Sequence, residues 1–277
     1  MEDYKIKGEA KSVVLDNGVE LTYLELGEEN EEVLISGAFF FYTFTPVLEK
    51  LAQRYHVYGV VMRFTGITDQ KDSLGRVHWG NQWGKDIYDF ATKLGIKRFH
   101  YVGKCHGTIP GWYLFRNHRE MLIDFASFFL APHLKKQVSD KWFDLLKNPK
   151  DMMAAAIRNV EKGLPKKMEE MNALHKEDMA EAWAIKEYAG CPEKLWNSLD
   201  ECEQDLKNCD IPVGFLFGSD DPFFQDHYDS NMYIWQVVKG CHFVMLNGEK
   251  HLMEIDVPER VADEVLAFID QAHKNYD

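Results

Sequence analysis

The run Arg98-Phe99-His100-Tyr101-Val102-Gly103-Lys104-Cys105-His106-Gly107 restricts the fold of this chain more than any other segment. It is rich in aromatic residues and ends in G-x-C-x-G, which reads as a strand turning sharply into a helix with Cys105 at the apex. A nucleophile carried on such a turn sits on strained backbone, and the residues two places either side approach too closely to carry side chains. Gly103 and Gly107 meet that need. A helix beginning at about His106 places its first free N–H groups and the positive end of its dipole near the sulfur, which favours a thiolate and later an oxyanion. A lone cysteine at a strand end is more often a small buried hydrophobe, so the rest of the chain has to decide between the two readings.

With 277 residues, the chain is long enough for an α/β core carrying an insertion. A formal net charge of −13 argues against nucleic acid and against anionic membrane surfaces as partners. Five cysteines without regular spacing do not form a disulfide framework or paired zinc ligands, so a reduced cytoplasmic setting is expected. Residues Met1 to Ala10 are charged and lack an apolar signal core, and no later apolar run reaches the roughly 18 to 20 residues a membrane span needs. Neither metal-ligand spacing nor a phosphate-binding glycine loop is found, so no metal and no cofactor are expected. The partner expected is a small-molecule substrate, with a homodimer also allowed.

Taken in order, Ser12–Val14 and Glu20–Leu26 flank an Asn17-Gly18 turn and predict an edge hairpin. Glu32–Ile35 predicts a strand that stops at Ser36-Gly37-Ala38 and opens into the aromatic run Phe39 to Tyr42. Helical spacing over Thr45–Arg54, a continuous apolar run over His56–Met62 and helical spacing over Asn81–Leu94 continue the alternation. After the Cys105 turn, Thr108–His118 predicts a helix with a distorted start because Pro110 falls near the end of its first turn, and Met121–Leu130 predicts another strand. Between 133 and 209 strand-like runs disappear and three to five helical stretches follow one another. Strand pattern returns at Ile211–Phe217 and Cys241–Leu246, with a weaker apolar run at Met232–Val237 between them, and Pro258–Ala272 is an amphipathic helix. The expected architecture is an α/β fold with a mostly parallel central sheet and helices on both faces. Its core is split between 1–132 and 210–277 around a helical cap at 133–209.

Elements in this order resemble the α/β-hydrolase superfamily across essentially the whole chain. By that resemblance Gly218-Ser219-Asp220-Asp221-Pro222 is similar to the family's acid turn and selects Asp221, with Asp220 as the neighbouring alternative. Asn247-Gly248-Glu249-Lys250-His251 is similar to its histidine loop, and the chain order nucleophile, acid, histidine is the one this fold requires. The resemblance implies a triad of Cys105, His251 and Asp221, with an oxyanion hole made by the backbone N–H of His106 and that of Ala38 or Phe39. It implies hydrolysis of a small or medium ester, lactone or thioester through an acyl-Cys105 intermediate. The same groups would serve a carbon–carbon bond hydrolase acting on a diketone or an acyltransferase, and a ligand receptor on a retired scaffold is the non-enzymatic alternative.

Several positions depart from the family pattern. Most members carry serine at the apex; cysteine there is similar to the dienelactone hydrolases, which usually have no large cap. Ser36-Gly37 stands where His-Gly is usual, and Lys250 where glycine usually precedes the histidine. Trp79, Trp83, Trp142, Trp183 and Trp196 are read as packing residues rather than as a binding wall. This reading gives no catalytic role to the side chains of Lys104 or His106.

Overall fold

The computed structural model describes residues 10–38, 41–62, 79–128, 132, 195–222 and 228–276. The hairpin forms as the Asn17-Gly18 signal predicts, from β1 (Ala10–Val14) and β2 (Glu20–Leu26). Next come β3 (Val33–Ala38), α1 (Phe41–Leu51), β4 (His56–Val61), α2 (Trp79–Lys93) and β5 (Phe99–Lys104). A 3-10 turn over Cys105–Gly107 leads into α3 (Thr108–Asn117), followed by β6 (Leu122–Phe128). After the predicted insertion stand α4 (Leu199–Lys207), β7 (Val213–Gly218), α5 (Tyr228–Val237), β8 (His242–Leu246), α6 (Met253–Asp256) and α7 (Pro258–Tyr276).

The strands form one eight-stranded sheet in the order β1-β2-β4-β3-β5-β6-β7-β8. Strand β2 runs antiparallel to both its neighbours, and every pairing from β4 to β8 is parallel. Parallel strands covered on both faces should be apolar throughout. Strand β7 is buried at every position, and β5 at all but its last.

Each face of the sheet has its own core. On one, Phe90 of α2 and Trp112 of α3 pack over Tyr101 and Phe125, with Trp112 meeting Phe125 edge-on at 4.8 Å between ring centroids. On the other, Val47 and Leu51 of α1 and Val261, Val265 and Ile269 of α7 cover Leu34, Val102 and Leu246. Burying each such side chain contributes about 1.5–3 kcal/mol, and together the two layers hold the strand ends in a fixed relation. Trp83 and Trp196 are fully buried, as packing residues should be.

Two expectations, the end of β3 and the start of α1, are corrected. Strand β3 continues through Ser36 and Gly37 to Ala38, because β4 and β5 offer it a ladder on both sides. Helix α1 starts at Phe41 and not Thr45, so part of the aromatic run is helical. The weak apolar run Met232–Val237, to which the sequence assigned no element, lies in α5. The helix after Cys105 runs from Thr108 with Pro110 in its first turn, as expected, preceded by the 3-10 turn over Cys105–Gly107, and the missing proline N–H would have had no intrahelical partner there anyway. Of the predicted cap at 133–209, only 195–209 lies among the described residues, where Ser198 caps α4 by accepting from the Glu201 N–H at 3.1 Å. Helix α4 buries Cys202 and Leu206 against the core.

Candidate active site

The ends of β3, β5, β7 and β8 lie along the same edge of the sheet. Gly37 of β3 lies in register with Gly103 of β5, and Gly218 of β7 with Leu246 of β8. Cys105 therefore emerges beside the end of β3, while the acid turn and the histidine loop leave β7 and β8 side by side.

Among the described residues Cys105 is alone in having a positive φ without being glycine, at +49°. An L-residue in this left-handed region is held there by its surroundings, and such strain gathers at functional sites. The surroundings here are backbone. A Cβ on Gly103 would come within 2.3 Å of the Gly107 carbonyl oxygen and 2.6 Å of the Thr108 Cα. The Tyr101 hydroxyl donates to that same Gly107 carbonyl at 2.7 Å, and Thr108 Oγ1 donates to the Cys105 carbonyl at 2.7 Å. The turn is thus tied to the strand that precedes it.

The acid turn and histidine loop are tied in the same way. Asp220 N–H donates to the Glu249 carbonyl at 2.9 Å, Ser219 N–H to the Leu246 carbonyl at 3.0 Å, and Gly248 N–H to Ser219 Oγ at 2.8 Å. A Cβ at Gly218 would stand 2.3 Å from the Glu249 carbonyl oxygen, so this close approach needs glycine. Asp220 is exposed and accepts from Ser219 Oγ, whereas Asp221 is fully buried with Oδ2 2.9 Å from His251 Nδ1. The carboxylate that meets the histidine is Asp221.

Burial alone would push the Cys105 thiol up, but interactions with the imidazoles of His106 and His251 hold it well below the ordinary thiol range. His251 shows the counterpart. Burial acts to lower its pKa, and the Asp221 carboxylate together with the Cys105 sulfur raise it to about 9. The two shifts run in the direction that favours thiolate beside imidazolium, and Asp221 is hydrogen-bonded to the ring at Nδ1.

Two side chains to which the sequence assigned no catalytic role also lie close by. His106 places Nδ1 3.2 Å from Cys105 Sγ. Lys104 forms an ion pair with Glu254 of α6, three residues beyond His251, and both side chains are nearly buried. A basic residue immediately before a buried strand end was the available sequence signal for Lys104. No spacing signal points to its carboxylate partner. Of the positions expected to supply oxyanion N–H groups, Ala38 is the last residue of β3 and His106 lies in the 3-10 turn after Cys105, while Phe39 lies outside the described residues. Among the described residues, no cluster of three or more His, Cys, Asp or Glu side chains is arranged to hold a metal.

The other cysteines contrast with Cys105. Burial pushes Cys202 and Cys241 up to about 12 and Cys209 to about 11, and Cys191 lies outside the described residues. Iodoacetamide at pH 7 is accordingly expected to alkylate Cys105 first, by at least tenfold in rate over Cys202, Cys209 and Cys241. Peptide mass mapping of partially alkylated protein measures this, and first modification at any of those three would remove the case for an activated Cys105.

No protein-family model matches the chain, and no curated protein does. Solved structures do. A membrane phospholipase A described as a bacterial virulence factor is 18% identical over 96% of this chain and 87% of its own, with a TM-score of 0.73. A meta-cleavage product hydrolase from Pseudomonas fluorescens IP01 is 16% identical over 95% of this chain and 98% of its own, at 0.72. An esterase from Thermogutta terrifontis is 14% identical over 96% and 99%, at 0.71. The fold is the α/β-hydrolase fold. Among the described residues no helix is long and apolar enough to cross a membrane.

Proposed function

We propose that this chain is a hydrolase of a small or medium ester, lactone or thioester, working through an acyl-Cys105 intermediate without metal or organic cofactor. The observation that carries the reading is the buried Asp221–His251 hydrogen bond at 2.9 Å beside Cys105, which stands on a strained strand-to-helix turn with its thiol pKa held below the ordinary range by His106 and His251. Solved structures of the same fold bear the names esterase, phospholipase and meta-cleavage product hydrolase, which supports hydrolysis as the reaction class and leaves the bond open.

In this mechanism the Cys105 thiolate attacks the substrate carbonyl carbon, and the electron pair of the C=O bond moves onto oxygen. The N–H of His106, with that of Ala38 or Phe39, receives this oxyanion. Collapse of the adduct expels the leaving group, which takes the proton from His251 and departs neutral. Neutral His251 then removes a proton from water as the water oxygen attacks the thioester. The second adduct breaks its C–S bond, releases the acid and restores thiolate and imidazolium.

Turnover in oxygen-18 water tests this reading against its neighbours on the same triad. One label is expected in the carboxylate of the product, with an acyl adduct on Cys105 in intact-mass spectra of quenched turnover. Capture of nearly all the acyl group by an added alcohol, amine or thiol would make the protein a transferase. Labelled acid formed with a ketone co-product, and only from a diketone, would make it a carbon–carbon hydrolase.

A further inference from the structure

We propose that His106 is a second catalytic imidazole, donating an N–H from Nδ1 to Cys105 Sγ so that the thiolate is held from two sides. The proposal rests on Cys105 being the nucleophile. Its geometric basis is the 3.2 Å contact, made by the residue next in sequence to the cysteine. That contact exists because Cys105 has φ +49° and its successor lies in the 3-10 turn. Successive side chains on an ordinary helix or strand point away from each other. The left-handed residue redirects the chain, and the next side chain comes to face the sulfur.

A thiolate has no proton to offer, so the nitrogen facing it is the donor. Hydrogen bonds to an anion are roughly twice as strong as those between neutral groups, and a thioester sulfur is a weak acceptor. The His106 contact is therefore strongest in the free enzyme and when sulfur leaves the second adduct, and weakest while the acyl group is attached. This stabilises sulfur as a leaving group in the hydrolytic half-reaction. It also separates two tasks. His106 helps to keep the sulfur ionised, and His251 is left to carry the single proton that goes to the leaving group and is recovered from water. No additional proton is needed, because His106 donates without transferring.

The titratable groups that act on the Cys105 sulfur among the described residues are His106 and His251, the latter with Asp221 behind it, and Lys104, the residue before Cys105, is paired with Glu254. The test must tell these apart. Thiolate absorbance at 240 nm, followed from pH 4 to 10, reports ionisation of Cys105 as the part of the signal lost in Cys105→Ala. In the unmutated protein its midpoint should lie below 7. His106→Phe should raise that midpoint by at least one pH unit, a tenfold loss of thiolate at any pH below both midpoints. His106→Asn, whose amide can still donate from about the same place, should recover part of the shift. His251→Ala should retain a thiolate that His106→Phe/His251→Ala loses.

A measurement on unmutated protein guards against variants that fold poorly. With nitrogen-15-labelled histidine, methylthiolation of Cys105 removes the anion, and the ring-nitrogen signals of both His106 and His251 should move. A His251 response with no change at His106, or an unmoved midpoint in folded His106→Phe, overturns the second imidazole and leaves the nucleophile reading intact. An ordinary thiol midpoint near 8.5 in the unmutated protein overturns both.

Discussion

Replacing His251 by alanine is expected to lower turnover roughly 10³- to 10⁴-fold while the protein remains folded, since removal of one member of such a triad leaves mainly binding and oxyanion stabilisation. The fall should appear in kcat with little change in KM, because the proton that His251 carries is needed only as bonds break and form. Asp221→Asn should follow it within about tenfold, and Asp220→Asn should stay near the parent level, because the exposed Asp220 carboxylate is hydrogen-bonded to Ser219 and not to His251. Dependence on pH gives an independent check. Cys105 is lowered and His251 raised to about 9, so on the proposed mechanism the thiolate–imidazolium form is expected to be the active one around neutral pH. Activity should decline as pH rises through about 9, where His251 loses the proton needed by the leaving group. The acid limb should lie well below the usual thiol value near 8.5. Removing the Asp221 charge removes the main influence that raises His251, so the alkaline limb of Asp221→Asn should move to lower pH. Initial rates from pH 4 to 10, with circular dichroism of each variant, measure all of this. Parent-level kcat in folded His251→Ala, or an alkaline limb indifferent to Asp221, would end the triad assignment.

Lys104→Met is expected to destabilise the fold by about 3–5 kcal/mol, which for a chain of this size is roughly 6–20 °C in Tm. Glu254 has only 1% of its side chain exposed, and Lys104 only 10%. Without the ammonium, Glu254 must either keep an unpaired buried charge or take up a proton. The direction with pH follows from its shift. Burial raises the Glu254 carboxyl against the opposing influence of Lys104, and losing Lys104 removes that opposition. A carboxyl raised in the folded state binds its proton more tightly there than in the unfolded chain. The deficit should therefore be complete above its folded pKa and shrink as pH falls through it. Lys104→Met/Glu254→Met should recover most of the loss, because two apolar side chains can replace a buried ion pair without leaving a charge behind. Thermal melts of the single and double variants at two pH values decide the matter. A single variant within 1 kcal/mol of the parent, or a double variant no better than the single, would show that this pair does not secure the end of β5 to α6.

The strands and most helices were legible because their signals are local. Alternation in Glu20–Leu26, unbroken apolar runs in His56–Val61 and Val213–Gly218, and the 3.6-residue period of Pro258–Ala272 each report which faces are buried, whatever else the chain does. Boundaries were less legible. Ser36 and Gly37 look like a turn in sequence, but they remain strand because β4 and β5 lie on either side, and a one-dimensional pattern does not contain that pairing. Met232–Val237 carries too weak a period to declare itself, and its helix is set by packing against the core through Tyr233 and Ile234.

By itself the sequence showed that Cys105, Asp221 and His251 each follow a strand-like run, the later β5, β7 and β8, because such runs are properties of local hydrophobic pattern, while their selection as a set rested on the resemblance to α/β-hydrolases. The tertiary structure alone decided where their side chains go. Asp220 and Asp221 are chemically identical neighbours, and only the hydrogen bonds of Asp220 N–H and Ser219 N–H to the adjacent loop leave Asp221 under the His251 ring. His106 meets the sulfur because Cys105 is held at positive φ by the packed backbone of Gly103, Gly107 and Thr108. Lys104 finds Glu254, 150 residues later, only when β5 and α6 come together. Side-chain direction depends on backbone dihedrals and on neighbours distant in sequence, and these exist only once the sheet has closed the distance between them.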